Sequence, residues 1–83
     1  MTDEYILDGI QAVLNELEIG CVVSPETHVR ADLELDSLQR IALVIGVENR
    51  FRVLLGPEDE EKIDRVGDLV DVIRERLADG THA

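Results

Sequence analysis

The sequence predicts an all-α fold, a four-helix bundle of three longer helices and one short third helix. Three observations lead there. Apolar residues recur at helical spacing in three separate stretches, and no segment alternates convincingly with a period of two. Helix-start and helix-stop residues punctuate those stretches. With 83 residues, 45% of them hydrophobic, the chain makes one domain, 1–83, with a modest core. Tyr5 and Phe51 are the only aromatic residues, so that core is built from Leu, Ile and Val.

The first helix is predicted from about Asp3 to Leu17. Ile6, Ile10, Val13, Leu14 and Leu17 form its stripe, while Asp8, Gln11 and Glu16 fall off it. Asp3 and Glu4 suit its start, and Gly20 marks a stop. A long connection follows, Glu18 to Leu35. Within it Ser24-Pro25-Glu26 reads as a capped single turn, with proline at the first helical position. Val22, Val29, Leu33 and Leu35 are the residues that could pin this loop to the core. Loops of this length in small domains are usually functional, which draws attention to where this one ends.

It ends at Asp36, a good N-cap, with Gln39 three residues on as a capping box requires. The second helix then runs to about Phe51 with two apolar stripes. Leu43, Val44, Val47 and Phe51 make one; Leu38, Ile41, Ala42 and Ile45 make the other, roughly opposite. So short a chain cannot cover both faces, so the second stripe is read as a surface for partner or cargo. Gly56-Pro57 opens a short acidic helix ending near Ile63, whose run Glu58-Asp59-Glu60-Glu61 reads as a solvated face. Asp64 is placed to cap a fourth helix from Arg65 to about Ala78, with Val66, Leu69, Val70, Ile73 and Leu77 as its stripe. Between the second and third helices, Arg52 to Leu55 is a candidate extended piece. Asp79 to Ala83 reads as a flexible tail.

The net charge of −11 excludes a nucleic-acid footprint and an anionic membrane surface, and basic protein partners are its complement. One cysteine, Cys21, cannot close an internal disulfide; in the run Cys21-Val22-Val23 it reads as a packed or partly buried thiol in a reducing compartment. With no leader pattern and no apolar stretch long enough to span a bilayer, the expectation is a soluble cytoplasmic protein.

Catalysis finds little support. His28 in the loop and His82 in the tail are the only histidines, and a nucleophilic triad around Ser37 would have only His28 as base. No zinc-type spacing occurs, and the acidic run lacks the alternation and glycine of a calcium loop. What remains is a serine to be modified. Ser37 stands in the first turn of the second helix, where amides and dipole favour a phosphate, with Asp36 and Asp32 available to draw a basic enzyme or a metal-assisted transfer.

The triplet Asp36-Ser37-Leu38, preceded by Asp32-Leu33 and followed by an apolar helix ending in Glu48-Asn49-Arg50-Phe51, resembles an acyl carrier protein. The similarity continues through Lys62-Ile63 and Val66 to Leu69 and Ile73, and covers about Glu4 to Leu77. The resemblance implies that a phosphopantetheinyl transferase attaches 4′-phosphopantetheine from coenzyme A to Ser37, with Asp36 and Leu38 completing the motif. The carrier itself catalyses nothing: it holds acyl groups as thioesters for acyl-transfer, condensing and processing enzymes, as a monomer. Leu38, Arg40, Ile41, Ala42, Ile45 and Glu48 are the implied partner-recognition residues. Ile41, Ile45, Leu55 and Ile63 are candidates to line a cargo crevice between the second and third helices, with ordinary core as the other reading for Leu55 and Ile63.

The sequence departs from the pattern of fatty-acid carriers in two places. Glu34 stands where they usually have glycine, two residues before the aspartate. Gln39, Ala42, Asn49 and Arg50 stand where their second helix is commonly acidic, so Ser37 to Phe51 is net +1 while Glu58 to Asp64 is net −4. These departures point to a specialised carrier, for polyketide, hybrid peptide or modified-lipid synthesis. A discrete aminoacyl or peptidyl carrier and an acidic helical adaptor without the modification are the alternatives.

Overall fold

A computed structural model describes residues 2–78. The predicted tail, with His82, lies outside them. Four helices follow in order: α1 (Asp3–Glu16), α2 (Ser37–Phe51), α3 (Pro57–Lys62) and α4 (Val66–Ala78). No strand forms among the described residues; one isolated bridge pairs His28 with Arg65. α1 is the central member and packs against both α2 and α4.

α1 begins where Thr2 accepts the Tyr5 amide and buries Ile6, Ile10, Val13 and Leu14. It stops earlier than Gly20. Glu18 takes the left-handed conformation (φ +61°), its amide reaches Asn15 O and that of Ile19 reaches Leu14 O, which closes the helix in a Schellman arrangement. The position favours glycine, but a glutamate fills it, so the helix ends beside the expected Leu17 and Gly20 takes no part in the stop. Arg52 ends α2 in the same conformation (φ +56°).

α1 and α2 cross on glycines. A Cβ on Gly9 would lie 2.3 Å from Phe51 Cζ, and one on Gly46 2.6 Å from Val13 Cγ1. Each glycine costs a helix about 1 kcal/mol relative to alanine. The close approach it permits buries Phe51 and Val13, each of which contributes about 1.5–3 kcal/mol. Tyr5 adds an edge-on contact to the Phe51 ring at 6.2 Å.

The long connection is held from both ends. The Gln11 carboxamide donates to Cys21 O and accepts from Val23 N, both at 2.8 Å, as a neighbouring strand would. That fixes the register: Val23 is buried and Val22 is 90% exposed, so the expected pin at Val22 is corrected by one residue. Val29 and Leu33 are buried as expected and Leu35 is half-buried. Ser24 to Thr27 is a tight turn rather than a turn of helix: Thr27 donates to Ser24 O, and its own hydroxyl takes the Ser24 amide.

The carbonyls of that turn cap α4. Val66 donates to Thr27 O and Gly67 to Pro25 O, while Asp68 accepts from the amides of both Asp64 and Arg65. Those two amides hold the Asp68 carboxyl below its ordinary pKa against the opposing effect of burial. The expected cap at Asp64 is thereby overturned; its carboxylate instead sits 3.8 Å from His28 Nδ1. α4 buries Val66, Leu69, Val70 and Ile73 as predicted, with Val72 in addition and Leu77 half-buried.

Arg52 to Leu55 lies outside any helix and alternates, with Val53 and Leu55 buried and Leu54 60% exposed. In α3 the acidic run is not wholly solvated. Asp59 is buried, accepts the Gly56 amide at 3.0 Å and pairs with Arg76 of α4. Burial pushes its pKa up, and the Gly56 amide and the Arg76 guanidinium together outweigh that and hold it below the ordinary value.

Candidate functional site

Ser37 is the first residue of α2 and is exposed. Its position is set locally. Asp36 takes the Gln39 amide at 2.8 Å and Gln39 Oε1 takes the Asp36 amide at 3.1 Å, so the predicted capping box is present. With the box absorbing the Asp36 carboxylate, the first turn of α2 contains no acid. The serine hydroxyl thus stands at the positive end of a 15-residue helix, beside the Asp36 carboxylate, which is committed to the Gln39 amide.

Ahead of the serine, Glu34 adopts φ +51°. It is the residue standing where fatty-acid carriers have glycine, and its backbone has the conformation that favours glycine. The preceding turn is closed by Asp32, whose carboxylate takes the His28 amide at 2.8 Å, and by the Glu34 amide on Arg30 O at 3.2 Å. His28 is held at the start of α4 by Asp64 and the Arg65 bridge, and it is absent from the cleft that Ser37 lines. The histidine considered as its base is thus placed elsewhere.

Beside Ser37 lies a cleft of about 370 Å³ between α2, α3 and the loop. Leu43, Val44, Ile63 and Leu69 give it an apolar floor, and Arg30, Arg40, Glu60 and Glu61 a charged rim. Ile41 and Ile63 line it, as expected. Ile45 and Leu55 do not: Ile45 is half exposed on the outer face, and Leu55 belongs to the core.

The two stripes of α2 separate as predicted. Leu43, Val47 and Phe51 are buried and Val44 is half-buried beside them, whereas Leu38 is 77%, Ile41 52% and Ile45 50% exposed, with Ala42 half-buried between them. The charges of the helix lie off this outer stripe. Arg40 is half-buried at the cleft, and Arg50 lies over α1, its Nε 3.2 Å from where a Cβ on Gly9 would stand. Glu48 accepts the Leu55 amide at 2.8 Å and so ties down the chain after α2. No sequence pattern announces that tie. The outer face is therefore uncharged and apolar rather than cationic.

No helix among the described residues is long and apolar enough to cross a membrane. No family model matches the chain. Among curated proteins it is 39% identical to an acyl carrier protein of Helicobacter pylori over 72 residues, covering 84% of this chain and 92% of the relative. It is 36% identical to one of an Exiguobacterium species over 80 residues, 93% of this chain and all of the relative. One of Cyanidium caldarium aligns over the whole chain at 30% identity and 99% of its own length. With its four helices in this order and near end-to-end similarity to these proteins, the chain belongs to the acyl carrier protein family.

Proposed function

We propose that Ser37 carries 4′-phosphopantetheine and that the chain holds acyl groups as thioesters on it. The observation that supports this is one exposed hydroxyl, at the positive end of α2, opening on a cleft with an apolar floor and a charged rim. The residues fit the group: the α2 terminus and the rim suit a phosphodiester, and the floor suits an acyl chain. When bound, the group supplies a terminal thiol on a long tether, which raises the effective concentration of cargo at each partner. Loading forms a bond from Ser37 Oγ to phosphorus and breaks the pyrophosphate bridge of coenzyme A. Adenosine 3′,5′-bisphosphate leaves, and the hydroxyl proton passes to the transferase. The chain itself supplies no catalytic group.

Its partners are a phosphopantetheinyl transferase and acyl-transfer, condensing and processing enzymes, met as a monomer in the cytoplasm. Leu38, Ile41, Ala42 and Ile45 form the contact surface, with Arg40 and Glu48 at its edges. An apolar patch of modest area suits a carrier that must also leave quickly. The test is mass spectrometry after incubation with coenzyme A, magnesium and a broad-specificity transferase. The wild type should gain one phosphopantetheinyl group, and Ser37→Ala should stay folded and gain none. A labelled alanine variant would defeat the assignment, and an unlabelled wild type would leave a helical adaptor.

The same patch supports a specialised pathway, polyketide, hybrid or modified-lipid synthesis. Enzymes with basic docking patches find no acid on the outer stripe to meet. Transfer by a bacterial fatty-acid condensing enzyme should be slow and should rise with Ala42→Glu, most clearly at low salt. Fast transfer to the wild type, with no gain from the added acid, would return the chain to housekeeping fatty-acid synthesis.

A further inference from the structure

The rim of the cleft at Ser37 holds two arginines that the fold does not use. The chain has 19 acidic residues against 8 basic ones, so its cations have ample partners. Arg74 and Arg76 take them, pairing with Asp3, Asp71 and Asp59, while Arg50, Arg52, Lys62 and Arg65 stand unpaired among the described residues, away from the cleft's lining. Arg30 and Arg40 form no ion pair among the described residues, although Glu60 and Glu61 line the same cleft. Arg40 is half-buried, where an unpaired guanidinium is costly. It lies three residues after Ser37, so their Cβ atoms are neighbours on one helix face, about 5–6 Å apart.

We propose that Arg40, with Arg30 across the cleft, is a positioning residue that binds the phosphodiester on Ser37 and turns the arm toward the cleft. This rests on Ser37 being the attachment point. Guanidinium and phosphate match in charge and fork geometry. A group bonded to Ser37 Oγ is presented to Arg40 at high effective concentration, so a weak contact suffices to bias direction. Holding the phosphate on the α3 side sends the tether over the apolar floor. Cargo is thereby shielded by the direction in which its tether leaves, before any contact of its own.

The test uses loaded protein, each sample confirmed by mass. The ³¹P resonance of the phosphodiester is compared in wild type, Arg40→Gln, Arg30→Gln and Arg40→Lys, at low salt and in about 1 M salt, where the screening length is about 3 Å. The wild-type line should be displaced from that of Arg40→Gln by more than its width at low salt and converge on it at high salt. Arg40→Lys should restore part of the displacement, and Arg30→Gln should lose part. In parallel, the arm's thiol should react several-fold faster with a soluble thiol reagent in Arg40→Gln than in the wild type. Coincident lines with equal thiol rates would overturn the proposal. If Arg40→Gln cannot be loaded, Arg30→Gln carries the same two readouts. Failure of the wild type to load would strike the attachment reading instead, and the mass spectrum separates the two.

Discussion

Replacing Glu34 by glycine is expected to stabilise this fold. Glu34 holds φ +51°, a region in which the Cβ of an L-residue crowds the following carbonyl oxygen at a cost of about 1–2 kcal/mol. The conformation is imposed from both sides. The turn closed by Asp32 and Arg30 O delivers the chain to Glu34, and two residues later Asp36 must be in place to cap α2. Glycine removes the crowding but returns about 0.5–1 kcal/mol of freedom to the unfolded chain. The net gain is about 0.5–1 kcal/mol, and a domain of this size shifts its Tm by about 4–8 °C per kcal/mol. Paired denaturant and thermal melts of the wild type, Glu34→Gly and Glu34→Ala make the assay. Alanine removes the same negative charge but keeps the Cβ, so it isolates the backbone contribution. A Glu34→Gly variant no more stable than Glu34→Ala would refute the reasoning.

Three further variants concern packing and pH. Phe51→Ala should cost about 3–5 kcal/mol, since it empties the space closed by Gly9 and Tyr5. Leu38→Ala, at a side chain 77% exposed, should cost far less in a denaturant melt while slowing transfer between partners; equal losses would mean the faces of α2 are misassigned. Asp59→Asn removes the partner of Arg76 and should cost about 2 kcal/mol at neutral pH. Because the folded-state pKa of Asp59 is lowered, its contribution is present above the ordinary carboxylate range and lost as pH falls through the folded value. The gap between wild type and Asp59→Asn in chemical melts should therefore stay constant from about pH 7 to pH 5 and close below about pH 4. A gap that persisted in acid would show that the loss is one of packing rather than charge.

Features decided within a few residues were legible in the sequence. The start of α2 is one: Asp36 and Gln39 close the box between themselves, and Ser37 is placed by that alone. The two stripes of α2 are another, because helical periodicity separates them without reference to the rest of the molecule. What the sequence concealed was set by distant partners. α4 is capped by Pro25 and Thr27, some 40 residues earlier, and no local pattern announces it. The register of Val22 and Val23 is decided by Gln11, a polar residue that reads as ordinary helix surface. Gly9 and Gly46 acquire meaning only when α1 crosses α2. Counting charge along α2 gives a net +1 without direction, and direction around the helix carries Arg40 to the cleft and Arg50 over α1.

The bonds from Val66 and Gly67 to the carbonyls of Thr27 and Pro25 determine how motion is shared in this molecule. An opening of the long connection breaks both bonds, so the first turn of α4 should fray with it and hydrogen exchange should find the amides of the two protected to the same degree. The first turn of α2 belongs to no such unit, since Asp36 and Gln39 hold it without help from afar. The protection of the turn that bears Ser37 should therefore be independent of the loop before it, and an opening of that loop should be felt instead at the opposite end of the chain.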